Sequence, residues 1–186
     1  MSKVILDMSM SLDGFIAGPN DEDMTLHNWY FSSDDPRNKE NVEELVKSLG
    51  AIIMGRRSYD LGDQQDGFVD NPYDATNVVL SHTVPAKPAK GNTKFIFVSD
   101  GLESALQKAK AAAGDKDVAI GGGANVAQQF LKAGLIDEIQ LHIVPIIIGE
   151  GLRLFRDSGN VQINLEKVRV IDTPDVTHLL YRVVRP

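Results

Sequence analysis

The chain has 186 residues, 42% of them hydrophobic, and a formal charge of −7. That is enough for one domain with a sizeable core, and it argues against broad binding to nucleic acid or acidic membranes, which need a positive field. With no cysteine and with His27, His82, His142 and His178 widely dispersed, disulfides, thiolate centres and a metal site are not expected.

At the amino end an apolar, strand-like run from Val4 to Met10 is broken by Asp7. That charge leaves no room for a signal-peptide core, and nowhere do about eighteen apolar residues follow one another, so a cytoplasmic protein without membrane contact is the simplest expectation. The run continues through Ser11-Leu12-Asp13-Gly14-Phe15-Ile16-Ala17 into a tight turn. Asp13 is the sharpest acid available for catalysis or substrate contact. It reads equally as an Asp-Gly turn former whose carboxylate bonds nearby backbone N–H groups. A long loop is expected from Gly18 to Ser33, where Trp29 and Tyr30 fit either the wall of a pocket for a flat ring or a local loop core.

Asp35-Pro36 is a cap followed by a first-turn proline, and Val42, Leu45, Val46 and Leu49 mark one face of the helix that follows. A buried strand over Ala51 to Met54 then ends at Gly55-Arg56-Arg57-Ser58-Tyr59, which opens another helix. Cations in a first helical turn oppose the macrodipole by roughly 0.3–1 kcal/mol each when exposed. A bound phosphate would remove that penalty, and the arginine fork and the Ser58 hydroxyl suit it; a solvated basic turn is the plainer reading. A second loop is expected from Leu61 to Thr76. The strand Asn77 to Leu80 runs out into Ser81-His82-Thr83, and Lys94 to Val98 forms the next strand. A helix after Asp100 then has Leu102, Ala105, Leu106, Ala109 and Ala113 as its stripe.

The segment Val118 to Phe130 is the most informative. A short apolar strand breaks on Gly121-Gly122-Gly123 and restarts as a helix carrying Val126, Phe130 and Leu131, which Gly134 ends. Glycines let the backbone approach a ligand, and the helix start offers unpaired N–H groups to a phosphate, so a nucleotide is the natural guest. Val126 stands where a Rossmann fingerprint has its third glycine, and a plain strand-to-helix turn would look the same. Further strands are expected over Ile136 to Val144, Val161 to Val170 and Val176 to Val184. His142 reads as a satisfied strand histidine, and the short turn Asp172-Thr173-Pro174-Asp175 makes the last two strands antiparallel. The sum is an α/β protein with a mixed sheet of about eight strands in one domain over residues 1–186. If their strands are parallel, the ends at Gly55, Ser81 and Gly121 share one edge of the sheet and outline a dinucleotide.

Taken in order, Ser11 to Ala17, Met54 to Tyr59, Leu80-Ser81, Ile120 to Gly123, Leu135-Ile136-Asp137-Glu138 through Pro145, and Gly149-Glu150-Gly151 resemble the dihydrofolate reductase-like proteins. The closer likeness is to the carboxyl-terminal reductase domain of the riboflavin-biosynthesis deaminase-reductase and its stand-alone relatives. This resemblance implies a three-layer α/β/α fold with a central, mostly parallel sheet ending in an antiparallel pair. It also implies NADPH as cofactor, hydride transfer to a small planar heterocycle, and a homodimer. Gly55, Arg56, Arg57 and Ser58 would meet the adenosine phosphates, with Leu80, Ser81 and His82 near the 2′-phosphate or ribose. Gly121, Gly122, Gly123, Ala124, Asn125 and Val126 would hold the pyrophosphate, and Ile16 and Ala17 would flank the nicotinamide. A cis peptide is implied at Gly121-Gly122 or Gly122-Gly123. The nearest named activity is that of a 5-amino-6-(5-phosphoribosylamino)uracil reductase. Two departures bear on it: Ile120 stands where those reductases usually carry a glutamate, and Gly-Arg-Arg-Ser-Tyr-Asp follows Met54, as in folate reductases. Glu40, Glu43 and Glu44 are available as the folate enzymes' helix carboxylate, but spacing singles none out. A nucleotide-binding sensor without turnover is the competing class, with a true dihydrofolate reductase behind it.

Overall fold

The computed structural model describes residues 2–69, 71–87, 89–156 and 162–185. In chain order the elements are β1 (Val4–Ser11), β2 (Phe15–Ala17), α1 (Asn28–Ser32), α2 (Pro36–Ser48), β3 (Leu49–Gly55), α3 (Arg56–Gln65), β4 (Thr76–Leu80) and β5 (Phe95–Val98). They continue with α4 (Leu102–Ala113), β6 (Asp117–Ile120), α5 (Ala124–Lys132), β7 (Glu138–Val144), β8 (Leu152–Arg153), β9 (Asn164–Asp172) and β10 (Thr177–Val184). Among the described residues, one sheet has eight strands in the order β5-β4-β3-β6-β1-β7-β10-β9, and β2 and β8 form a small second sheet. Pairing is parallel from β5 to β7, and β10 joins β7 and β9 antiparallel. The mostly parallel sheet with an antiparallel end is therefore as expected.

Alternation along the strands gives the sheet two different faces. Val4, Leu6, Met8 and Met10 of β1 pack with Ala51 and Ile53 of β3 beneath Ala105 and Ala109 of α4 and Val126 and Phe130 of α5. On the other face Ile52 and Met54 meet Leu45 of α2 and Tyr59 of α3, and Trp29 of α1 packs with Leu26, Val144 and Val176. Helices thus cover both faces, giving the three layers. Burying Phe130, which is 0% exposed, contributes about 1.5–3 kcal/mol by transfer alone.

Several local expectations need correction. The loop from Gly18 to Ser33 ends in α1, whose Trp29 is drawn into the core by its ring. Helix α3 runs to Gln65, past the expected loop start at Leu61, because Gly62 lets the Phe68 ring close on it: a Cβ there would lie 2.5 Å from Phe68 Cζ. The buried face of α2 is Asn38, Asn41 and Leu45 instead of a wholly apolar stripe, since the asparagines meet polar partners on β10. Leu49 opens β3. Of the expected strand Val161 to Val170, Val161 lies outside the described residues; β9 begins at Asn164 and runs to Asp172.

Candidate functional site

The register creates a notch in the sheet. Strand β6 ends at Ile120, which pairs with Leu6 of β1 and Ile53 of β3, while both neighbours run on to Ser11 and Gly55. The glycine triad fills the floor of that gap: Gly121 N–H donates to Ile53 O (3.0 Å) and Gly55 N–H to Gly122 O (2.9 Å). Gly55 and Gly121 therefore lie on the same rim of the sheet, with the Leu80 end of β4 in register beside Gly55. Gly122 has φ +144°, and a Cβ on it would sit 2.8 Å from Ser58 Oγ. Only glycine fits there without movement. The Gly122-Gly123 peptide is cis, at one of the two places that the resemblance implies.

Two helices start at this floor, α3 after Gly55 and α5 after Gly123, and neither N-cap supplies a capping side chain. Their first-turn N–H groups and positive dipole ends converge, which suits a phosphate. Beside α5, Asn125 and Gln128 line a surface groove with Leu152, Arg153 and Arg156, where the cationic side chains favour an anion.

The two arginines of α3 are less free than the sequence suggests. Arg56 donates to Asp60 Oδ1 (2.7 Å), to Thr83 O and Oγ1 (3.0 Å each) and to Ser81 Oγ (3.4 Å). Arg57 pairs with Asp21 of the first loop. Their unfavourable position in the first turn is thus offset by carboxylates within the chain. Arg56 also ties the end of β3 to the turn after β4, where Ser81 Oγ donates to Thr83 O (2.6 Å); His82 is exposed on that turn.

Asp13 lies on the far side of the notch. Its carboxylate accepts from the Ser11 hydroxyl (2.7 Å) and from the N–H groups of Gly149 (2.7 Å) and Ile148 (3.1 Å). These bonds, the Ser11 hydroxyl first, hold its pKa down at about 2. At neutral pH it is a carboxylate with no proton to give, and its place is that of a clasp between the β1 turn and the 145–151 segment. Ile16 and Ala17 sit in β2, which β8 pairs, and Arg153 lies over the Phe15 ring at 4.3 Å.

Trp29 is buried, donates from Nε1 to Ser9 Oγ (3.0 Å), and lies 4.6 Å from the His142 ring and 4.9 Å from His178. Its ring belongs to the loop core, while Tyr30 is half-buried beside it. His142 is a buried, fully bonded strand histidine: Nε2 lies 2.9 Å from Asp7 Oδ1 and Nδ1 2.6 Å from His178 Nδ1. Sequence reasoning missed Asp7 and His178. The available signal was a carboxylate in mid-strand, the one charged residue in the run from Val4 to Met10.

No helix among the described residues is long and apolar enough to cross a membrane, and no group of His, Cys, Asp and Glu there is arranged to hold a metal. The family model for the RibD C-terminal domain matches residues 2–179. The uncharacterized protein YyaP of Bacillus subtilis strain 168 is 31% identical over 174 residues, 89% of this chain and 86% of that protein. A solved structure of a Shewanella sp. PV-4 protein assigned to riboflavin biosynthesis superposes with TM-score 0.80 at 26% identity, covering 98% of this chain and 99% of that one. Dihydrofolate reductase from Enterococcus faecalis, solved with NADP(H), shares the fold with TM-score 0.63 at 16% identity, covering 97% and 96%. The notch floored by glycines, the two helix starts and the full-length match agree: this chain belongs to the RibD C-terminal domain family, a reductase domain with the dihydrofolate reductase-like fold.

Proposed function

We propose that the protein is an NADPH-dependent reductase that delivers hydride to a planar heterocyclic substrate of the riboflavin-pathway kind. The observation that carries this reading is the convergence of two uncapped helix N-termini on the Gly121-Gly123 floor, beside a strand that stops short. In this reading the first-turn N–H groups of α5 and residues Gly121 to Val126 hold the pyrophosphate. Gly55, Arg56, Arg57 and Ser58 approach the adenosine phosphates, with Leu80, Ser81 and His82 at the ribose end, and Ile16 and Ala17 flank the nicotinamide. When bound, the reduced nicotinamide supplies the hydride; the chain supplies orientation and a pocket from which water is excluded. Asp13 shapes the substrate side as a clasp. A homodimer, expected from the resemblance, would cover Leu165, Val168 and Val170 of β9 and Val184 of β10, which are all 43–48% exposed.

Ile120 in place of the expected glutamate favours a second reading, a dinucleotide sensor without turnover. Both are tested by titrating the protein with NADPH and with NADH while exciting Trp29, then adding 5-amino-6-(5-phosphoribosylamino)uracil and following loss of the reduced-nicotinamide absorbance. Tight NADPH binding with oxidation is the expected result. Binding without oxidation selects the sensor, and binding of neither dinucleotide overturns both.

A further inference from the structure

We propose that Asp7 is the proton donor of this site, its proton fixed in place by a one-directional chain of hydrogen bonds that runs from it through His142 and His178 to the surface; this rests on the reductase reading above. Asp7 follows Leu6, the partner of Ile120 where β6 stops, so it is the first β1 residue beyond that end and stands level with Gly121 at the notch. Every other residue of β1 is buried, whereas the Asp7 side chain keeps 18% exposure. A carboxylate in the middle of a central strand is costly unless its partners are in place. Tyr30 and Tyr73 flank it, interact with each other and feel its charge; burial above all raises the pKa of both hydroxyls, which keeps them neutral.

The direction of the chain follows from its far end. Ser33 Oγ donates to the Asp175 carboxylate, so it accepts from Asn38 Nδ2 (2.7 Å). That orients the Asn38 amide with Oδ1 towards His178 Nε2 (2.8 Å), which must carry a proton. His178 is neutral near pH 7: burial first, and then the neighbouring His142, lower its pKa to about 4, with Arg169 adding to the effect and Asp7 opposing it. Its Nδ1 is therefore an acceptor, consistent with Asn41 Nδ2 approaching the same atom at 3.4 Å while Arg169 holds the Asn41 oxygen. His142 Nδ1 must then donate across the 2.6 Å contact. One position is left, between His142 Nε2 and Asp7 Oδ1 at 2.9 Å, where two acceptors face each other unless a proton lies between them.

That proton is what a reduction needs. The reduced nicotinamide would supply hydride to the carbon of a substrate C=N or C=O bond, and the heteroatom that takes up the π pair would bond the proton leaving Asp7. The pair is left with a carboxylate facing a bare ring nitrogen, an arrangement that takes a proton back from water through the exposed side of Asp7. His142 and His178 are positioning residues: they fix which ring nitrogens are occupied and leave Asp7 as the delivering residue, while Trp29 packs against both rings, tilted to His142 and edge-on to His178.

Two measurements decide this. Asp7→Asn should leave NADPH affinity within about threefold while slowing single-turnover reduction of 5-amino-6-(5-phosphoribosylamino)uracil by about 10²–10⁴-fold. His142→Gln serves the same purpose if the first variant fails to fold. Wild-type speed in either folded variant overturns the proposal. Independently of substrate, NMR of ¹⁵N-histidine-labelled protein at pH 7 should show protons at His142 Nδ1 and His178 Nε2 and a shared proton signal at His142 Nε2 that is lost in Asp7→Asn. If NADPH binds but this uracil is not reduced, the riboflavin-type function fails, and the spectrum alone decides the chain: a bare His142 Nε2 opposite an ionised Asp7 overturns it.

Discussion

Acidification from pH 6.5 to 4 should destabilise the folded protein through His178. An unfolded histidine titrates near 6.5, whereas burial lowers the folded value to about 4. The unfolded chain therefore binds a proton in this window that the folded chain refuses. The contribution is fully present above pH 6.5, declines as pH falls, and is gone below about 4. At 1.36 kcal/mol per pH unit the interval corresponds to about 3 kcal/mol, which solvent screening trims to about 2 kcal/mol. The clasp residue Asp13 does not interfere, because its depressed pKa of about 2 makes its own contribution fall away only below 3.8. Urea unfolding followed by Trp29 fluorescence at pH 7, 5.5 and 4.5 measures the slope, with His178→Asn as the comparison. The variant should begin less stable and lose less over the interval, the two curves approaching one another at the acid end. Parallel curves would refute the reasoning, since the acid sensitivity would then come from groups other than His178.

Two further changes probe the floor of the notch and its clasp. Gly122→Ala introduces a side chain at positive φ and 2.8 Å from Ser58 Oγ; we expect about 1–3 kcal/mol less stability in urea unfolding and NADPH binding weakened by at least about tenfold. Ser58→Gly in the same chain should restore part of the stability but not the affinity, and an unaltered affinity in Gly122→Ala alone would remove the triad from the binding site. Asp13→Ala unpins Ile148 and Gly149, so their amides should exchange with solvent faster by hydrogen-exchange mass spectrometry while those of β1 stay protected. Unchanged exchange would show that the segment is held by other contacts.

The parts of the fold that could be read from the sequence are those whose cause is local. The break at Gly121-Gly123 and the Gly55-Arg56 helix start are written in adjacent residues, and the short turn around Pro174 announces an antiparallel pair before any contact is known. Strand pairing decided the rest. Asp7, His142 and His178 are separated by 135 and 36 residues and meet only because β1, β7 and β10 are neighbours in a particular register. Periodicity marked the apolar face of α2 but was blind to Asn38 and Asn41, which point inwards because a histidine waits there. The short strands β2 and β8 owe their existence to each other and to the Asp13 clasp, with no periodic signal of their own. The electrostatic oddity of Arg56 and Arg57 is legible in adjacent residues; Asp60 and Asp21, which answer it, come from the next helical turn and from a distant loop.

The early stop of β6 has a wider consequence. The gap lies in the middle of a hydrogen-bonded sheet, with β3 running two residues and β1 five past the end of β6; the strands on either side are locked to their other neighbours, so backbone geometry sets its depth. Side chains around its mouth, from the segment before α1 to the one after α3, can be exchanged without altering that depth. Substitutions in those loops therefore reshape the mouth of the notch while its floor stays where the sheet sets it.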